Sequence, residues 1–305
     1  MRIPGAGSDS SLDFTDLGLL VMALIWGVNF PIIKACLDEI PPLAFNALRF
    51  PLASLAVFLA ARTFQTVPKP KKKDWPRLVA LGIVGNLVYQ CLFIFGADIT
   101  FAGNASILLA TTPAWTLALS SAAGHEKPGP QVWFGVLATM AGMTLVVLGS
   151  DRVVGIQAPT LAGDLLIVAA AVTWSVYSVG SRGLVRKYGA LPVTAWTLWV
   201  GSAGLFVVGL PSLTAAPLAE ISPAAWVGVG YSGVLAIGLG YILWYRGVQK
   251  IGNSRTAAFS NLTPVVALVV AWLWLAEVPG FLQILGAAVV LAGLSLARMG
   301  RAGQP

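Results

Sequence analysis

The sequence predicts an all-α membrane protein of about ten transmembrane helices, built as two inverted five-helix repeats. Three observations carry that fold class. The first is composition: 57% of the 305 residues are hydrophobic and 10% are charged, where a soluble domain carries charge on about a quarter of its residues. Mean hydropathy is correspondingly high, at +0.82. The second is the length of the apolar runs, mostly about 18–22 residues, which is what a ~30 Å hydrocarbon core asks of a helix. The third is self-similarity. The stretch TPAWTLALSSAAGHEKPGPQVWFGVLATMAGMTLVVLG from Thr112 returns, without a gap, as TPVVALVVAWLWLAEVPGFLQILGAAVVLAGLSLARMG from Thr263. Thr112-Pro113 becomes Thr263-Pro264, and Glu126-x-Pro128-Gly129 becomes Glu277-x-Pro279-Gly280. Gly135, Gly142 and Gly149 become Gly286, Gly293 and Gly300.

Ten spans follow in order: Asp16–Ala35, Leu43–Ala61, Trp75–Ala97, Ala102–Ala123, Gln131–Gly149, Leu161–Gly183, Pro192–Leu210, Pro223–Gly247, Ser254–Ala276 and Gly280–Arg298. The polar opening MRIPGAGSDSSLDFTD does not read as a cleavable signal, and the run after it is long enough to span. Asp16 and Asp164 open the first and sixth spans, where a carboxylate complements the positive end of a helix dipole. The Trp26 context, IWGVNFPIIK, aligns with TWSVYSVGSR around Trp174. The repeats are therefore residues 16–149 and 161–298, five spans each. An odd number of spans turns the second copy upside down, the sequence mark of an alternating-access transporter.

Basic residues set the orientation. Grouped by alternate connections, one side holds Arg2, Arg62, Lys69, Lys71, Lys72, Lys73, Arg77, Lys127, Arg182, Arg186, Lys187, Arg246, Lys250, Arg255, Arg298 and Arg301. The other side holds only Lys34 and Arg152. The positive-inside rule makes the rich side cytoplasmic, with both termini inside a bacterial inner membrane. The net charge of +7 is thus a topology signal and no argument for nucleic acid. Lys69-Pro-Lys-Lys-Lys73 reads as a solvated topology loop before it reads as a lipid-headgroup site.

The pattern Trp26-Gly27-x-x-Phe30-x-x-x-Lys34, then Pro42 and Arg49-Phe50, resembles the opening of drug/metabolite transporter superfamily proteins with duplicated EamA domains. So does the close of each repeat, a Pro in its fourth helix with Glu-x-Pro-Gly leading into its fifth. Within that superfamily the chain is most similar to YddG-type bacterial amino-acid exporters. The resemblance implies ten helices, termini inside, and a central cavity between the first, third, fourth, sixth, eighth and ninth helices.

Prolines at membrane depth free a carbonyl and bend a helix. Pro31, Pro51, Pro113 and Pro264 are such sites, and Thr112 and Thr263 stand ready to bond the freed groups. A bend at the same place in both repeats makes Pro113 and Pro264 hinge candidates, with Pro31 beside them. The seven-residue glycine ladders return to one helix face and permit close backbone packing. Arg49 is the only formal charge deep in a span. Because its helix is expected at the periphery, a structural role near the interface is expected, snorkelling or pairing with a carbonyl.

No Asp or Glu lies mid-span, which argues against the buried carboxylate of a proton-coupled carrier. No Lys or Arg is expected in the cavity helices, which argues against phosphorylated anions. What those helices offer is neutral: Trp26 and Asn29; Asn86, Tyr89 and Gln90; Trp115; Trp174 and Tyr177; Tyr241 and Trp244; Ser260 and Asn261. Amides, hydroxyls and aromatic faces suit a neutral or zwitterionic substrate with an apolar body. Gly230-Tyr231-Ser232-Gly233 matches the G-x-S-G of rhomboid-type intramembrane proteases, but such a serine needs a histidine base. The only histidine, His125, is expected at the cytoplasmic end, so the segment reads as small-residue packing. One His and two distant Cys form no metal cluster. The expectation is therefore a non-enzymatic exporter of amino acids, aromatic ones among them, or of related metabolites. It needs no cofactor, metal or catalytic residue; its partners are a small-molecule substrate and the lipid bilayer, with the oligomeric state left open and a monomer compatible. A broad drug or metabolite exporter is the alternative within transport, and a receptor or scaffold the alternative outside it.

Overall fold

The computed structural model describes residues 14–64, 68–124, 128–150, 159–260 and 262–302. Its elements are helical, with no strand among the described residues. Helix α1 is Phe14–Leu37 and α2 is Pro42–Phe64. A short turn at Lys72–Asp74 leads into α3, which runs Trp75–Gly82, a π-helical stretch Ile83–Val88, and Tyr89–Ile99. Helix α4 comes in two pieces, Ala102–Leu109 and Thr112–Ala122; α5 is Pro130–Ser150. In the second half α6 is Pro159–Tyr188 and α7 is Ala190–Ala215. Helix α8 runs Pro223–Gly230, a π-helical stretch Tyr231–Leu239, and Gly240–Ser260. Helices α9, Leu262–Leu275, and α10, Phe281–Ala302, complete the set.

Eight of the helices are long and apolar enough to span a bilayer on their own; Leu262–Leu275 and Phe281–Ala297 are shorter apolar segments. Fourteen residues of α9 give only about 21 Å at 1.5 Å per residue. The missing length precedes it. A β-carbon placed on Gly247 would lie 2.9 Å from the Thr256 hydroxyl oxygen, whereas nine residues of straight helix separate their ends by about 13 Å. The helical run Gly240–Ser260 therefore folds back on itself, and its last residues feed the ninth span.

The repeats meet along α5 and α10. A β-carbon on Gly142 would come 2.7 Å from both the Gly286 oxygen and the Val290 nitrogen, and one on Gly293 would come 2.7 Å from the Gly135 oxygen. The two glycine ladders thus face each other, antiparallel, backbone on backbone. Around this stem α1 packs on α8 and α9, α6 packs on α3 and α4, and α2 packs on α7. Those are the same pairings with the repeats exchanged, as an inverted duplication requires.

Two features were not expected. The sixth span starts at Pro159, earlier than Asp164, so Asp164 sits a turn inside the helix and is fully buried. It bonds side chains of other helices and does not complement a helix end. The π-helical stretches of α3 and α8 occupy corresponding places in the two repeats. Such stretches are usually single-turn bulges found at functional sites.

Candidate functional site

The helices enclose a central cavity of two connected parts. The part toward the basic end has a volume of about 530 Å³. It is lined by Thr112, Pro113, Ala114, Thr116 and Leu117 of α4, Trp174, Tyr177, Ser178, Ser181 and Val185 of α6, Ala190 and Thr194 of α7, Tyr241, Trp244 and Tyr245 of α8, Trp26, and Leu294 and Ala297 of α10. The deeper part, about 260 Å³, adds Asn29, Phe30, Arg49, Tyr89, Gln90, Phe93, Ser106, Thr263 and Pro264. Trp26, Thr112, Trp174, Tyr241 and Ser260 line both. Both volumes together are ordinary for a small-molecule pocket.

One wall is a continuous aromatic face. Phe30 meets Phe93 edge-on at 6.0 Å, Phe93 stacks with Tyr89 at 6.1 Å, and Trp174 lies 5.0 Å from both Tyr89 and Tyr177. Across from it Trp26 and Trp244 lie 5.8 Å apart. Trp26 is held by its indole N–H, which donates to the Ala236 carbonyl at 2.8 Å. Only a glycine at 240 allows this, since a β-carbon there would sit 2.3 Å from the indole nitrogen. The Tyr177 hydroxyl pairs with Thr197 at 3.0 Å, and the Tyr245 hydroxyl with Thr194.

The blind end of the cavity is polar and centres on Arg49, which is 1% exposed. Its Nε donates to Asn46 at 2.9 Å, Nη1 to Ser232 at 3.0 Å and Nη2 to Gln90 at 2.9 Å. Ser232 in turn donates to Asn29 at 2.7 Å. The rings of Phe45, Phe50 and Phe93 surround the guanidinium at 4.9–5.9 Å. The interfacial, snorkelling role expected for Arg49 is therefore replaced by a buried one. The reason lies on α8: a β-carbon on Gly233 would lie 2.6 Å from the Arg49 carbonyl. At that point α2 is pressed against the π-helical stretch and is not peripheral. Ser232, expected as packing, is part of the polar relay. The signal that pointed to both was the lone charge in a span.

Of the other residues singled out from sequence, the cavity brings together Trp26, Asn29, Tyr89, Gln90, Trp174, Tyr177, Tyr241, Trp244 and Ser260. Asn86 is not among them. It is buried against α7, with its β-carbon 2.1 Å from where one on Gly201 would stand. Trp115 lines neither part, and its buried indole nitrogen has no partner among the described residues. Asn261, His125 and Glu126 lie outside the described residues. Helices α2, α7 and α10 contribute lining that the resemblance did not include, through Arg49, Thr194 and Leu294. The two Thr-Pro sites differ. Thr112 bonds the Leu109 carbonyl freed ahead of Pro113 at 2.6 Å, and α4 breaks there. The Thr263 hydroxyl is buried with no partner among the described residues.

The end away from the basic residues is sealed. Ile33, Ile94, Ala97, Ala105, Leu108 and Ile167 pack there in one buried apolar cluster. A polar network ties the helix ends beside it: Asp164 accepts from Thr100 and, at 3.3 Å, from Asn104. Gln283 donates to Asn104 at 2.7 Å, and Glu277 accepts from the backbone N–H of Ala102 at 3.0 Å and Gly103 at 3.2 Å. Lys34 donates to the carbonyls of Ala97 and Asp98. Outside the spans, Glu39 accepts from the Ser222 N–H at 2.7 Å and its hydroxyl at 2.8 Å. These bonds hold its carboxyl below the usual glutamate value.

The EamA-like transporter family matches residues 13–148 and 161–299. An uncharacterized transporter of Bacillus subtilis, YdfC, is 30% identical over 274 residues, covering 90% of this chain and 87% of the relative. A protein of Streptantibioticus cattleyicolor named a probable terminal-alkyne amino-acid exporter is 30% identical over 280 residues, 91% of each chain. A probable amino-acid metabolite efflux pump of Salmonella typhimurium is 26% identical, covering 90% and 91%. A crystal structure superposes with a TM-score of 0.67 over 95% of this chain and 99% of that one at 22% identity, a likeness of fold. With both halves of a duplicated membrane fold matched in this way, the chain belongs to the EamA-like transporter family of the drug/metabolite transporter superfamily.

Proposed function

We infer that the protein exports amino acids or closely related small metabolites across the bacterial inner membrane by alternating access of its two repeats. One observation carries the reading: a cavity whose walls are aromatic and whose blind end gathers amide, hydroxyl and guanidinium groups. Such a cavity accepts an apolar body and orients a polar head. Two relatives bear names that speak of amino-acid export. The basic residues give the direction, since the positive-inside rule puts the open end and both termini in the cytoplasm. The cavity then stands ready to load from inside. No carboxylate lines it among the described residues, so flux follows the substrate gradient without a proton partner.

Counterflow in liposomes loaded with L-phenylalanine tests this. Labelled L-phenylalanine should accumulate without a pH gradient and be displaced by other aromatic amino acids. Gln90→Ala leaves a guanidinium N–H without its acceptor, and bonds to charged groups are worth about 1.5–3 kcal/mol. Apparent affinity should fall on the order of tenfold or more. Trp174→Ala should cost bulky substrates more than small ones. A parent protein that exchanges no amino acid would sink the reading, and flux that collapses with the proton gradient would sink its uncoupled form.

A further inference from the structure

Arg49 presents an unsolved charge. A guanidinium keeps its charge at neutral pH, and burying an ion costs several kcal/mol unless a counter-ion and further hydrogen bonds compensate it. The three oxygens it meets, on Asn46, Ser232 and Gln90, are all neutral. Among the described residues it forms no ion pair. Its three aromatic neighbours supply cation–π attraction, worth about 0.5–2 kcal/mol each, but no negative charge. Three of the five N–H groups of the fork are used, which leaves one on each terminal nitrogen. Two N–H groups are thus left to bond a carboxylate, whose two oxygens match the fork of a guanidinium.

The residue also lines the deeper part of the cavity. The buried Thr263 hydroxyl oxygen faces the same space and has no partner among the described residues. A cation held ready by neutral acceptors, with no anion beside it among the described residues, matches a site completed by an anionic group from the ligand.

We propose that Arg49 is the carboxylate anchor of the substrate site, so that the transported species carries a carboxylate at its polar end and an apolar body against Tyr89 and Trp174. Gln90, Ser232 and Asn46 are positioning residues that hold the fork in the plane needed for two parallel bonds. Thr263 offers its oxygen to a neighbouring donor on the ligand, which an α-ammonium provides. This rests on the export reading above and sharpens it: substrates without a carboxylate are excluded by the cost of leaving the guanidinium unpaired.

The test compares three ligands of one shape: L-phenylalanine, 3-phenylpropionate, which lacks the ammonium, and phenethylamine, which lacks the carboxylate. Binding to purified protein is followed by ligand-induced thermal stabilisation, and transport by counterflow. The parent should bind both carboxylates more tightly than phenethylamine. Arg49→Gln should weaken the two carboxylates roughly 10- to 100-fold and leave phenethylamine within about twofold. Arg49→Lys, a point charge without the fork, should fall between. Equal losses for all three ligands, or none, overturn the anchor. Should Arg49→Gln fail to fold, the parent decides: phenethylamine bound as well as 3-phenylpropionate, or no carboxylate bound, overturns it. A parent that exchanges L-phenylalanine yet shows uniform losses in Arg49→Gln keeps the export reading and loses the anchor. A parent that binds 3-phenylpropionate through Arg49 and moves no amino acid keeps the anchor and loses the export reading.

Discussion

The two ends of the cavity are built from equivalent repeats and are in opposite states. At the basic end the lining runs down to Ser181, Val185 and Ala190, where α6 hands over to α7. At the other end Asp164, Thr100, Asn104 and Gln283 lock α6, α3, α4 and α10 together over a buried apolar plug. Asp16, the repeat counterpart of Asp164, is only half-buried near the start of α1, while Asp164 is fully buried. Duplicated sequence thus yields unequal ends. In a carrier whose repeats are related by inversion, exchanging the two conformations opens one end as it closes the other. On the alternating-access reading proposed above, the contacts that distinguish the ends are the moving parts, and those shared by both repeats are the frame.

The α5–α10 stem is the sharpest instance of frame, because its glycines face each other across both repeats. Gly142→Leu gives the largest expected effect. Its side chain would start 2.7 Å from backbone atoms of α10, and backbone on both sides cannot yield as a side-chain tip does. The variant should give no monodisperse protein on gel filtration. A folded and active Gly142→Leu would remove the distinction between stem and moving ends.

The seal itself comes next. Asp164→Ala removes the acceptor for Thr100 and Asn104, and bonds to a carboxylate are worth about 1.5–3 kcal/mol. The balance between end states should move toward opening at the sealed end by roughly 10- to 100-fold. A membrane-impermeant thiol reagent reports it, using Ala110→Cys in the cavity of protein carrying Cys36→Ala and Cys91→Ala. Modification from the non-basic side should be slow in the parent background and fast with Asp164→Ala. Unchanged rates from both sides would mean that the network is mere packing.

The smallest effect belongs to Glu39, which ties the α1–α2 connection to the start of α8 at the sealed end. Its carboxyl is held below the ordinary value by the Ser222 bonds. The contribution is therefore complete above the unfolded value and lost as pH falls through the lower folded one. Because the group is exposed, Glu39→Gln should lower the melting temperature by no more than about 2 °C at pH 7. The difference from the parent should vanish on acidification. A difference that grows in acid would reverse the sign assigned to the bond.

Much of this architecture is legible in the chain because a bilayer constrains it so tightly. Run length gives the spans and the Thr263 echo of Thr112 gives the duplication. The glycine ladder shows that two helices come close, though not that the two ladders meet each other. The aromatic residues at 26, 89, 174, 241 and 244 are legible as cavity candidates because polar-tipped rings in the inner helices have few other uses. Asn86 and Trp115 are of the same residue types on the same helices, yet they turn away from the cavity. A helix face is decided by a rotation of a few tens of degrees, and the π-helical stretch Ile83–Val88, which contains Asn86, changes that rotation.

The sequence by itself determined the class, the span count and the inverted duplication, since each follows from local hydropathy or from comparing the chain with itself. Only the tertiary structure decided that Arg49 faces inward, that Ser232 and Gln90 hold it, and that Asp164 closes one end. Those partners lie far away in sequence, and α8 meets α2, as α6 meets α3, where a glycine stands opposite backbone atoms. Hydropathy records how badly a residue wants to leave water; it carries no information about which neighbour it will meet there.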